Sequence, residues 1–262
     1  MRVLVVSNQK GGVGKTTTAI SLGAALVERG QRVLIVDLDP QANATSGLGV
    51  GKSGAGIYSV LLKEQPITDS IVHTELANLD LVPSGPDMAS AEVELVPVMA
   101  REFRLRQALR SAAGSYDTVI VDCPPSLGLL TVNGLAAGDG VLVPVQCEYY
   151  ALEGLAQLID TIDVVRQRLN EKLEVLAIVL TMEDRRNRLS IQVAEEVRSH
   201  FPKLLAHARI PRTVRLAEAP SHGKPISIYD PQSRAALAYG ELAREIEGRL
   251  KAHEPIALAR SV

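Results

Sequence analysis

The sequence predicts a single α/β domain, a mostly parallel, doubly wound sheet flanked by helices, and three observations predict it. Short apolar runs rich in β-branched residues recur at 2–7, 32–37, 78–82, 117–122, 139–145, 173–181 and 204–210. Patterns of helical period fill most of the intervals, the alternation expected of a sheet covered on both faces. The runs ending at Asp37 and Asp122 finish in carboxylates, and the first run leads straight into a glycine-rich loop. Ligands of open α/β sheets collect at the carboxyl ends of the strands, so these three segments aim polar groups at one crevice.

The first run, Arg2-Val3-Leu4-Val5-Val6, precedes Lys10-Gly11-Gly12-Val13-Gly14-Lys15-Thr16-Thr17. From Thr17 to Arg29 apolar residues recur without proline, and Gly30 closes the stretch as a helix C-cap would. Strand, glycine loop and helix in that order is the setting of a P-loop NTPase. Gly11, Gly12 and Gly14 let the backbone curl so that successive N–H groups, with those of Val13 and Thr17, converge on phosphate oxygens at the positive end of the helix. Lys15 is then expected to reach the β- and γ-phosphates and Thr16 to offer its hydroxyl to Mg2+. The pattern G-x-x-x-x-G-K-[ST] fails at Gln9, where a glycine is expected. The loop fits a deviant form instead, K-G-G-x-G-K-[ST], with Lys10 at its entrance; taken alone, Lys10 could also be a solvated loop residue.

The run to Asp122 places a carboxylate where it can hold Mg2+ directly or through water, or simply cap a turn after the strand. Gly47 to Gly56, rich in Gly and Ser, reads as a mobile loop. Arg185-Arg186-Asn187-Arg188 opens a helical pattern, where cations oppose the helix macrodipole and so do not serve helix stability. Ser233 to Ala252 reads as the last helix, and the expected domain is 1–252, with 253–262 a frayed tail.

The formal charge is only −2, yet the segment from Arg185 to Arg234 carries ten Lys/Arg against four Asp/Glu. That asymmetry is the footprint of a local nucleic-acid surface on an otherwise acidic chain. With two Phe, six Tyr and no Trp, phosphate contacts to duplex DNA are favoured over stacking on single strands. Cys123 and Cys147 lack C-x-x-C spacing and read as small core residues of a reducing cytoplasm. No apolar run suits a secretory signal or a membrane span, and a strand opening at Arg2 leaves no room for an N-terminal helix-turn-helix module.

The glycine loop resembles that of the deviant Walker A ATPases of the ParA/MinD superfamily. The segments Val33 to Gln41, Asn43 to Gly49, Val121 to Ser126, Pro144 to Gly154 and Ile210 to Pro225 look like those of its chromosomal ParA subgroup, Soj. The resemblance covers about residues 1 to 250. It implies an ATPase in which Lys10 reaches across a homodimer to the partner's nucleotide, so that ATP becomes part of the interface. It implies that Asp39, of the motif D-x-D-P, positions the attacking water and joins Thr16 and Asp122 around the metal, with Asp37 supporting that shell. Lys10, Lys15 and Asp39 are thus the expected catalytic set. Pro211 and Thr213 would lie beside the adenine. Arg186 and Arg215, with Arg188, Arg212, Lys224 and Arg234, would contact DNA phosphates without sequence preference. A ParB/Spo0J-like centromere-binding protein would stimulate hydrolysis, in the cytoplasm at the nucleoid.

Two other classes fit less well. A MinD-like membrane-cycling ATPase needs an amphipathic C-terminal helix with apolar bulk, whereas Arg244 to Leu250 is sparse in it and contains Gly248. An iron-sulfur carrier needs cysteines in a setting that neither Cys123 nor Cys147 has.

Overall fold

The computed structural model describes residues 1–51, 56–148, 151–184 and 186–252. Eight strands form one sheet: β1 Arg2–Val6, β2 Val33–Asp37, β3 Val72–His73, β4 Leu79–Val82, β5 Thr118–Asp122, β6 Gly140–Gln146, β7 Glu174–Glu183 and β8 Leu205–Pro211. Their order is β3-β4-β2-β5-β1-β6-β7-β8. Every pairing is parallel except β3 with β4, which is antiparallel. All seven strands expected from the sequence are present with ends shifted by a residue or two. The unforeseen one is β3, whose two residues are too few to carry a period.

Each central strand is buried on both faces, and its side chains alternate between two cores. Val3, Val5, Leu34, Val36, Val119 and Val121 share one core with residues of the helices Met88–Leu95, Leu129–Ala137 and Ala151–Arg168. Leu4, Val6, Val33, Ile35, Ile120 and Leu142 point the other way, against the helices Lys15–Glu28 and Arg234–Ala252. Those two helices are joined by a buried contact of 3.2 Å between the hydroxyls of Thr18 and Tyr239. Gly30 does end the first helix: at φ +85° its N–H donates to the carbonyl of Val27 at 2.8 Å.

Of the stretch expected to be a loop, Gly47 closes a short helix, Asn43–Gly47, and residues 52–55 lie outside the described residues. So do the tail from 253 and Arg185. The helix expected near Arg185 begins at Arg188, and Asn187 caps it by accepting the N–H of Leu189 at 3.0 Å. Among the described residues no helix is long and apolar enough to cross a membrane.

Gly49 and Gly223 meet backbone to backbone, both in the left-handed region, at φ +73° and +64°. A Cβ on Gly223 would stand 2.8 Å from the Cα of Gly49, whereas one on Gly49 would come no nearer than 3.6 Å to Gly223. Alanine at either position carries the left-handed penalty of about 1 to 2 kcal/mol, but only at 223 does it also collide. Gly223→Ala should therefore cost clearly more than Gly49→Ala, by a further ~1 to 3 kcal/mol, as measured by urea unfolding of the two variants.

Candidate functional site

The glycine loop leaves β1, the strand between β5 and β6, and its geometry follows from its glycines. Gly12 and Gly14 hold φ of +75° and +88°, which residues bearing a Cβ rarely adopt. Gly14 is also the N-cap of the helix Lys15–Glu28, with no side-chain cap and no acidic residue in the first turn. The positive end of that helix thus has neither a capping side chain nor an acid of its own first turn.

Two long-range contacts and two local ones fix the loop. Asn8, buried, donates from Nδ2 to the carbonyl of Pro144 at 2.7 Å and accepts the N–H of Lys10 at 3.0 Å. Thr181 on β7 donates its hydroxyl to the carbonyl of Val13 at 2.8 Å. Lys15, only 6 % exposed, turns its ammonium back onto the carbonyl of Lys10 at 3.0 Å. Burial pulls the Lys15 ammonium below its ordinary pKa, against the attraction of Asp122 and Asp39. Lys10 points outward instead. Its Nζ pairs with Glu148 Oε2 at 2.8 Å, and Gln146 holds the other oxygen of Glu148 at 2.6 Å.

The parallel register sets Asp37 of β2 directly beside Asp122 of β5. Their environments then diverge. Asp37 accepts the N–H of Asp39 at 3.1 Å on one oxygen, and the N–H and hydroxyl of Thr45 at 2.9 and 2.7 Å on the other. Burial nevertheless pushes it up to about 6. Asp122 is wholly buried and neither oxygen has a well-formed hydrogen-bond partner, although the Thr16 side chain lies close enough to favour its charged form. Burial drives its pKa well up and repulsion from Asp37 adds to that, while Thr16 and Lys15 oppose both. Asp122 therefore caps no turn, which removes that alternative, and it is Asp37 that holds the chain after its strand. An orphaned buried carboxylate beside the Thr16 side chain fits a divalent cation that takes few protein ligands and keeps its waters. Among the described residues no three His, Cys, Asp or Glu side chains cluster as a self-sufficient metal nest.

Asp39, 6 % exposed, accepts the N–H of Gln41 at 2.9 Å on Oδ1 and lies within electrostatic reach of Lys15 and Asp122. Pro211 ends β8 at the same edge of the sheet, paired with Glu183 of β7, two residues beyond the Thr181 that holds the loop. Thr213 spends its hydroxyl as the N-cap of the helix Val214–Glu218, accepting from Leu216 at 3.2 Å.

Arg186, Arg188, Arg212, Arg215, Lys224 and Arg234 are all exposed. Acids interleave them: Arg186 pairs with Asp184 at 3.2 Å, and Arg215 reaches Glu218 at 3.3 Å and Asp230 at 3.7 Å. Paired in this way, these cations make a less purely basic surface than their number alone suggests. Sequence reasoning also missed Asn8, Thr45, Ser84, Glu148 and Thr181, whose contacts span up to 168 residues and leave no local pattern.

A glycine loop on the central strand, two adjacent strands ending in carboxylates and an uncapped helix define a P-loop NTPase. A family model described as an AAA domain matches residues 1–175. The chain is 52 % identical over 247 residues to the sporulation initiation inhibitor protein Soj of Bacillus subtilis (strain 168), covering 94 % of this chain and 98 % of that one. It is 54 % identical over 250 residues to the chromosome partitioning protein ParA of Myxococcus xanthus (strain DK1622), covering 95 % and 88 %. Among solved structures, cobyrinic acid a,c-diamide synthase from Mycobacterium smegmatis, with bound ATP analogue and magnesium, superposes with a TM-score of 0.85 at 39 % identity, covering 97 % of each chain. The chain belongs to the Soj/ParA family of chromosome-partitioning proteins, and with it to the P-loop ATPases.

The lone carboxylate of Asp122 makes a prediction. A carboxyl whose folded pKa lies above its unfolded value holds its proton more tightly in the native state, so its ionisation costs stability as pH rises past about 4. Asp122→Asn should raise the melting temperature of the nucleotide-free protein, on the order of 1 kcal/mol or 2 to 4 °C. Its advantage over the unsubstituted protein should grow between pH 4 and 7, while Mg2+-dependent nucleotide affinity falls. Differential scanning fluorimetry across pH, with and without Mg2+ and ATP, measures both.

Proposed function

We propose that this chain is a chromosome- or plasmid-partitioning ATPase that pairs on binding ATP, holds duplex DNA without reading its sequence, and lets go after hydrolysis. The observation that carries the reading is the opposite disposition of the loop's two lysines. Lys15 is buried on its own loop, whereas Lys10, five residues before it, points outward onto Glu148. Beside Lys10, a methyl group on Gly11 would meet nothing within 4 Å, and the backbone of Gly11 is not left-handed. Nothing among the described residues calls for glycine there, but the loop of a second copy coming close would. To reach a partner's nucleotide Lys10 must leave Glu148, an exposed pair worth at most about 1 kcal/mol.

In this reading the backbone N–H groups of Gly11, Gly12, Val13, Gly14, Lys15, Thr16 and Thr17 cradle the phosphates, and Lys15 exchanges the carbonyl of Lys10 for phosphate oxygen. Thr16 and Asp122 hold Mg2+, with Asp39 close by; bound there, the ion neutralises charge developing on the phosphates. Asp39 orients the attacking water from its second oxygen, since Oδ1 already accepts from Gln41. Pro211 flanks the adenine with its flat ring. Thr213, its hydroxyl committed to a helix cap, contributes backbone groups only.

Arg186, Arg188, Arg212, Arg215, Lys224 and Arg234 form the DNA face. One copy offers few phosphate contacts, and pairing through ATP doubles them, so affinity rises steeply with dimerisation. A ParB-like centromere-binding protein acts by stimulating hydrolysis, and the protein works in the cytoplasm at the nucleoid. Identity to the partition proteins Soj and ParA exceeds that to the cobyrinic acid synthase, which favours partitioning over a ligase-type reaction.

The test is a titration of unrelated DNA duplexes with ATP, ADP or no nucleotide across salt. Tight binding is expected with ATP alone, equal for all sequences; equal binding in all three states would overturn the reading. Arg186→Glu with Arg215→Glu removes four phosphate contacts per dimer and should flatten the salt slope by about 3 to 4, leaving ATP-dependent dimerisation intact by light scattering. Lys10→Ala should weaken that dimerisation while each chain still binds ATP.

A further inference from the structure

We infer that Ser84 is a positioning residue for ATP hydrolysis, fixing the backbone of Asp39 and through it the carboxylate that faces the attacking water. The inference rests on the reading of Asp39 given above. Ser84 follows β4, which β2 and β5 separate from the glycine loop's own strand, and lies 45 residues along the chain from Asp39. It is 4 % exposed, and its hydroxyl donates to the carbonyl of Asp39 at 2.7 Å.

Ser84 closes a ring of hydrogen bonds. Its N–H donates to the hydroxyl oxygen of Thr45 at 2.9 Å, the Thr45 hydroxyl donates to Asp37 at 2.7 Å, and Asp37 accepts the N–H of Asp39 at 3.1 Å. Three side chains, those of Ser84, Thr45 and Asp37, and the backbone of Ser84 and Asp39 thus define one geometry, with every member of the ring paired.

Two facts bear on what the Ser84 hydroxyl does for Asp39. The carbonyl of Asp39 already accepts the N–H of Ala42 at 2.8 Å, so the Ser84 hydroxyl is not needed to satisfy it. A second donor from another strand fixes its direction instead. Moreover, the turn that carries Asp39 holds Ala42 at φ +53°, a conformation that persists only where neighbouring structure over-determines it. Ser84 supplies a constraint from outside that turn. Phosphoryl transfer depends on placement, and an error of about 1 Å in a positioning group costs up to about 100-fold in rate.

The test compares Ser84→Ala, Ser84→Thr and Asp39→Ala in the full chain. It reads phosphate release from ATP with Mg2+, equilibrium affinity for a nonhydrolysable ATP analogue, and melting temperature. Ser84→Ala leaves the Ser84 N–H bond to Thr45 in place, so a folded protein is expected, with kcat reduced about ten-fold or more, KM and analogue affinity within about two-fold, and Ser84→Thr restoring the rate. A folded Ser84→Ala with undiminished kcat, or one whose loss is equally a loss of affinity, overturns the inference; so does a folded Ser84→Thr that restores nothing. Asp39→Ala separates the two layers. If it hydrolyses ATP normally, the reading of Asp39 fails; if it is inactive while Ser84→Ala is not, only the role of Ser84 fails.

Discussion

The structure depends on a concentration of buried charge at the carboxyl edge of β1, β2 and β5. Asp37, Asp39, Asp122 and Lys15 are all less than one-tenth exposed, and the sheet register sets two of the carboxylates side by side. One buried ammonium cannot balance three ionised carboxylates, so part of the charge is removed by holding protons: burial pushes Asp122 well up and Asp37 to about 6. Much of the surrounding architecture restrains that imbalance. Thr45 and the backbone absorb Asp37, the carbonyl of Lys10 holds Lys15, and Asn8 and Thr181 pin the loop between them. Only Asp122 is given no partner, and it is the group from which a cation would remove the largest penalty.

The frame of this site was legible in the sequence because it is written in local patterns. Buried parallel strands read as β-branched runs, and a left-handed backbone at Gly12 and Gly14 reads as glycine. The strand β3 was not legible, since two residues cannot show an alternation. Nor were the partners that complete the site. Ser84, in a Pro-Ser-Gly sequence after a strand, carries no motif, and Glu148 falls in a segment that resembles the family without a role of its own. Their meaning lies in contacts 45 and 138 residues away, which only the folded sheet brings together. Asp122 is the intermediate case: its place at a strand end is visible in the sequence, but its want of a partner is visible only in three dimensions.

The basic surface teaches the complementary lesson. A count of cations along the chain gives its sign correctly but overstates its strength, because Asp184, Glu218 and Asp230 sit among the arginines. Exposed pairs of this kind are weak and screened by salt.

The meeting of Gly49 with Gly223 bears on how the sequence can change. The first lies just after the segment anchored by Asp37 and the second beside Lys224, so the contact ties the carboxylate edge to the basic stretch. Where a side chain blocks a larger substituent, trimming that neighbour makes room, and two positions drift together over generations. Here the obstructing atoms are a Cα and a backbone nitrogen, which no replacement can shorten. Position 223 has no compensating partner: its side chain is fixed by inheritance at nothing, and any route to another residue must first move the main chain of the catalytic edge.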